Sequence, residues 1–84
     1  MGKHMQLTHL HREVNTALEL ALAQIAPTEI IEPLAVTAGL LDAFASLDVD
    51  DLTAHPLLGP TTDRAKLALA AWHRWQAARP APTA

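Results

Sequence analysis

Residues 33–47, PLAVTAGLLDAFASL, decide how this chain is read. The stretch carries one charge, Asp42, and lacks the alternating β-branched and aromatic residues that mark a strand. Wound as a helix, it sets Leu34, Ala38, Leu41 and Ala45 on one flank and Val36, Leu40, Phe44 and Leu47 on another. Only a narrow strip of Ala35, Gly39, Asp42 and Ser46 stays small or polar. A helix that is apolar around most of its circumference needs neighbours on several sides. Gly39 has two readings, a break costing about 1 kcal/mol relative to alanine or a place where a neighbouring backbone comes close. The spacing of Ala35, Gly39 and Ala43 favours the second, so these three are expected to form a close-packing seam.

On the N-terminal side, Leu7, Leu10, Val14, Leu18, Ala21 and Ile25 recur at intervals of three and four and place one apolar stripe on a helix over 7–26. His9, Arg12, Glu13, Thr16 and Glu19 fall opposite, and Leu20 is a lone apolar residue on the polar side. Pro27-Thr28-Glu29 interrupts the pattern. Because Pro33 sits too deep for a simple helix start at Thr28, the sequence predicts a turn over 28–31 and a second helix with Pro33 in its first turn. On the C-terminal side, Asp48 is placed to cap a short helix with Asp50 and Asp51 in its first turn, stopped by His55-Pro56. An apolar loop over 57–60 is then expected, with Thr61 or Thr62 capping a last helix. In that helix Leu67, Ala68, Ala71, Trp72, Trp75 and Ala78 share an arc, and Lys66, His73, Ala70 and Ala77 turn outward.

These elements predict an all-α fold, a small bundle of three main helices plus one short helix, completed by oligomerisation. Met1–Met5, MGKHM, reads as an expression scar, since His-Met is what a CATATG cloning site encodes, and is set aside. Residues 6–79 form the expected single helical domain. The Pro80 and Pro82 tail, 80–84, cannot continue a helix and is expected to be disordered. The chain has 84 residues and no cysteine, so neither disulfides nor thiolate metal sites can supplement a small core. The central apolar run is too short and too interrupted to span a bilayer, which predicts a soluble protein with no membrane partner. The absence of a signal-like N-terminus favours the cytoplasm. The alanine-rich, lysine-poor composition points to a GC-rich bacterial or phage genome.

The nine acids lie between Glu13 and Asp63 with no lysine or arginine among them, and Arg64, Lys66, Arg74 and Arg79 follow with no acid. Packing the last helix against the acidic centre would bring opposite signs together, within one subunit or between two. Exposed pairs contribute about 0–1 kcal/mol each, so such attraction orients more than it stabilises.

No chemistry-bearing motif survives inspection. His9 and Glu13, one turn apart, could offer two zinc ligands, but a site needs a third, and a solvated pair explains them better. Asp48, Asp50 and Asp51 resemble the start of a calcium loop, yet Thr53 stands where glycine is required and Gly59 where glutamate is. Ser46 has no histidine beside it locally, so an enzyme would need a cavity that gathers Ser46, Asp42 and His55. Gly39 and Gly59 are isolated, which rules out a phosphate-cradling loop. No cofactor and no enzymatic activity are expected. Trp72-His73-Arg74-Trp75, with Lys66, Arg74 and Arg79 as contacts, is the best case for an alternative role as a nucleic-acid-binding accessory or regulatory protein. Both tryptophans, however, fall on the core arc, and a net charge of -3 offers no electrostatic surplus. Arg79, one turn beyond Trp75, is placed for a local cation–π contact.

The function expected is therefore a small helical protein-interaction module that self-associates as a homodimer, or binds another protein. Its interface is expected at Leu40, Phe44, Leu47, Trp72 and Trp75. Shielding about 600 Å² of apolar surface would contribute roughly 15 kcal/mol before association costs.

Overall fold

The computed structural model describes residues 3–79. Among them are four helices, α1 (Lys3–Ala23), α2 (Thr28–Ala45), α3 (Val49–Ala54) and α4 (Leu58–Ala78), and no strand. The first helix takes in Lys3, His4 and Met5 from the stretch read as a scar. Met1, Gly2 and the tail over 80–84 lie outside the described residues.

The central helix packs extensively on both α1 and α4, while α1 and α4 touch each other more sparsely. Helix directions follow from named contacts. His11, early in α1, lies beside Asp42, late in α2, so these two run antiparallel. Arg79 donates from Nη1 to Gln24 Oε1, so the C-terminal ends of α1 and α4 lie together and those helices run parallel. Val14, Ala21, Leu34, Leu41 and Ala65 lose all contact with solvent and form the middle of the core. The alanines in this set let the helix axes approach closely, at the expense of apolar volume buried per residue.

Three local departures from the sequence reading have physical causes. The second helix begins at Thr28 instead of near Pro33: Pro27 is its N-cap, and the Pro27 carbonyl accepts the Ile30 and Ile31 amides at 2.9 and 3.1 Å. Pro33 therefore sits inside the helix, where it withholds an amide from the Glu29 carbonyl, and its ring is on the exposed face. The helix continues unbroken through Gly39. At the last helix, α4 starts at Leu58, so no loop occupies 58–60 and neither threonine is the cap. Pro60 is tolerated at the third position because helical amides there have no internal acceptor. Thr61 is buried, and Thr62 Oγ1 donates back to the Leu58 carbonyl at 2.8 Å.

The third departure is at Ile25, which the apolar stripe assigns to the core but which is 86% exposed. It is the left-handed residue that ends α1, with φ 54°. The Ala26 amide reaches back to the Ala21 carbonyl at 2.9 Å and the Ile25 amide to the Leu22 carbonyl at 3.2 Å, the paired bonds of a Schellman ending. Ala21 and Ala26, the residues such an ending brings together, are both buried. Glycine usually occupies the left-handed position, because a side chain there costs about 1–2 kcal/mol. Ile25→Gly should therefore stabilise the fold by about 1 kcal/mol and raise the melting temperature by about 4–8 °C. A thermal melt with an unchanged or lower midpoint would contradict this account of the turn.

Candidate functional site

Leu20 and Leu22 on α1, Ile25 at its end and Leu57 before α4 are exposed singly, and the remaining uncovered apolar surface lies on α2 and α4. On α2, Asp42 faces α1, so the opposite flank, which carries Val36 and Leu40, is turned toward α4, and Leu47 lies just beyond the end of the helix. On α4, Leu69, Trp72, His73 and Gln76 line a groove shared with α1, so the flank with Leu67 and Ala71 is turned toward α2. Val36 is 50% exposed, Leu67 is 70% exposed, and Leu40, Leu47 and Ala71 are half-buried. The outer seam between α2 and α4 is therefore apolar and partly open. Beside it, Ala35, Gly39 and Ala43 are all exposed, and a methyl group built on Gly39 would meet nothing within 4 Å. No neighbour within the protomer uses this strip for close approach.

The expected interface residues divide into two groups. Leu40, Leu47 and Trp75 keep partial exposure. Phe44 and Trp72 are 4% and 2% exposed and belong to the protomer's own core, so they have no surface to present to a partner. Phe44 makes an edge-to-face contact with His55, with ring centroids 4.9 Å apart, where the chain leaves α2 for α3. At the other end of the bundle Trp72 stacks on Trp75 at 5.7 Å, and the Arg79 guanidinium lies 4.8 Å from the Trp75 ring centre. Arg79 also binds Gln24 on α1, so this layered stack ties the ends of α1 and α4 together.

Leu67, expected on the core arc of α4, is the largest correction. The buried arc is instead Thr61, Ala65, Ala68, Leu69 and Trp72. Leu67 and Leu69 flank Ala68 on opposite sides, and because α4 leans toward α1 as well as α2, Leu69 is buried and Leu67 is left outside. Sequence reasoning missed Leu67 as a surface residue because a helical wheel cannot choose between two leucines placed symmetrically about an alanine.

The candidate chemistry does not converge. His9 Nε2 and Glu13 Oε1 are 2.7 Å apart on the exposed side of α1, and no group of three or more His, Asp or Glu among the described residues could share a metal ion. Ser46 Oγ donates to the Ala43 carbonyl at 2.7 Å, and His55 Nδ1 accepts the Leu57 amide at 3.1 Å. Asp42 faces His11 at 3.5 Å, within ion-pair distance but outside hydrogen-bond geometry, since His11 Nε2 is buried without a hydrogen bond. Each member of the conceivable Ser46, Asp42 and His55 set thus has its own neighbour. The groove between α1 and α4 is open, about 370 Å³, with an apolar floor at Ala17, Leu69 and Trp72 and rim residues of both signs at Arg12 and Glu13. Lys66, Arg74 and Arg79 point to different sides of α4, and Arg79 is engaged with Trp75 and Gln24. No helix among the described residues is long and apolar enough to cross a membrane. Comparison with family models, curated proteins and solved structures finds no match to this chain.

Core and surface side chains should separate cleanly in unfolding experiments. Phe44→Ala and Trp72→Ala should each destabilise the protein by about 3–5 kcal/mol in denaturant titrations. Leu67→Ala at low protein concentration should change stability by less than about 0.5 kcal/mol. A loss at Leu67 as large as that at Phe44 would place Leu67 in the core.

Proposed function

We propose that this chain is a small helical protein-interaction module that acts by self-association, forming a two-fold homodimer through the outer seam of α2 and α4. The observation that supports this reading best is that Val36 on α2 and Leu67 on α4 are both well exposed on the flanks that carry the half-buried Leu40 and Ala71. Scattered exposed leucines are ordinary. An apolar stripe shared by two adjacent helices, bordered by the bare strip Ala35, Gly39 and Ala43, marks an association surface instead. The interface expected at Leu40, Phe44, Leu47, Trp72 and Trp75 is accordingly redrawn around Val36, Leu40 and Leu67.

The mechanism is burial without chemistry. The 18 residues of α2 span about 27 Å, and two helices side by side are about 20 Å wide, so the available footprint is about 540 Å² per copy. That lies near the low end of specific interfaces, which bury about 600–1,000 Å² per partner. A footprint of this size suits a reversible contact and is well short of the interfaces of obligate dimers whose protomers do not fold alone. Each protomer, with its own filled core, stands as a folded unit before association.

Sedimentation equilibrium from low micromolar to submillimolar concentration should show the mass rising from 9.0 kDa toward twice that value. Leu67→Glu should hold the protein monomeric at every concentration while leaving its helical circular dichroism intact. A wild-type protein that stays monomeric at submillimolar concentration would overturn the reading.

A further inference from the structure

The charges of this protein are sorted by helix and are not matched inside the protomer. Helix α2 carries Glu29, Glu32 and Asp42 and no basic residue, whereas α4 and its C-cap carry Arg64, Lys66, Arg74 and Arg79 against a single acid, Asp63. Although α2 and α4 pack along their lengths, no ion pair joins them among the described residues. The two histidine–carboxylate contacts present there, His9 with Glu13 and His11 with Asp42, both involve α1. Glu29, Glu32, Arg64 and Arg74 are all exposed.

Helical spacing places some of these charges on the apolar seam itself. Glu29 and Glu32 precede Val36 by seven and four positions, so the three share a stripe, which Leu40 and Ala43 continue. Arg74 follows Leu67 by seven positions and Ala71 by three, so it extends the stripe on α4. Both charged groups lie at one end of the bundle. The start of α2 follows directly from the end of α1, and the end of α4 reaches that same end through Arg79 and Gln24. The seam is thus an apolar middle of Val36, Leu40 and Leu67 with acids on one helix and a base on the other at a single end.

From this arrangement we infer that the occupant of the seam is a second copy of the chain, set so that α2 of each copy crosses α4 of the other in antiparallel sense, with Glu29 and Glu32 opposite the second copy's Arg74. This rests on the self-association reading and specifies its register. A two-fold axis running along the seam exchanges α2 for α4 and keeps the levels of the two copies equal. Leu40 then lies near the level of the second copy's Leu67 and Val36 nearer that of its Arg74, and the acid–base contact occurs twice. A two-fold axis across the seam would instead lay α2 on α2 and α4 on α4, leaving Glu29 and Glu32 without a base and setting Arg74 against Asp63. The first arrangement joins the acidic helix to the basic one and answers charges that the protomer leaves unmatched, which is how complementary charge sets register.

A charge-swap series read by sedimentation equilibrium tests this. Arg74→Glu should weaken association at least about tenfold, because like charges then meet at two symmetry-related places. Adding Glu29→Arg and Glu32→Arg to Arg74→Glu should restore the dissociation constant to within about threefold of wild type. Rescue by Asp63→Arg instead, with no rescue by the glutamate reversals, would establish the like-on-like crossing and overturn this one. An Arg74→Glu variant that associates as the wild type does would also overturn it, while self-association through Leu67 would still stand. A wild-type protein with no dimer at any concentration would remove both. Because all four substituted side chains are exposed, unchanged helical circular dichroism is the folding control.

Discussion

The whole structure depends on covering α2 from two sides. Leu34 and Leu41 lie one above the other in the middle of that helix and are fully excluded from solvent, and neither α1 nor α4 alone could enclose them. Val14 and Ala21 close the α1 side, and Ala65 and Ala68 close the α4 side. Because so many of these residues are alanines, the helices come close but each contact buries few methylenes. The same economy leaves α2 and α4 with apolar flanks that a bulkier bundle would have consumed. The core and the candidate interface therefore have one origin.

The ends of the bundle are held differently from its middle. At one end Phe44 fills the space beneath α3, packed against His55, whose Nδ1 also receives the amide that opens the turn into α4. Leu52 is the buried anchor of α3, which explains how a helix of only six residues stays in place. At the other end the Trp72, Trp75 and Arg79 stack reaches across to Gln24 and joins two helices that otherwise touch sparsely. Of the three large aromatic residues, Phe44 and Trp72 are too deep to act as recognition groups.

Much of this was legible in the residues, and what was not has identifiable causes. The number of helices, the place of Asp48 at the start of α3, the exposed Leu20 and the Arg79 contact on Trp75 all follow from spacing and local chemistry, although the Asp48 side chain makes no capping hydrogen bond. Element starts did not, because prolines were read as boundaries. Pro33 and Pro60 are instead carried inside helices, the first because Ile30 and Ile31 pack on the core and hold the preceding turn in place, the second because an early helical position loses nothing by lacking an amide. Thr37 was also invisible to a hydrophobicity wheel. It is buried because its hydroxyl donates to the Pro33 carbonyl at 2.7 Å and so needs no partner from outside its own helix. The choice between Leu67 and Leu69 was a tertiary decision that no local rule could make.

That last choice shaped the surface more than any other. Had α4 turned Leu67 inward and Leu69 outward, the uncovered leucine would face the groove beside α1, among Arg12, Glu13 and His73. There it would be a lone apolar residue in a mixed polar setting, and the seam between α2 and α4 would be closed. With Leu69 buried, the exposed leucine lies on the α2-facing flank of α4 and on the same stripe as Arg74, so apolar residues and an unmatched charge pattern share one face. Apolar contact alone fixes no orientation, and exposed charges alone contribute little affinity. On this face of the bundle the two coincide, with the apolar strip able to supply affinity and the segregated charges able to set direction.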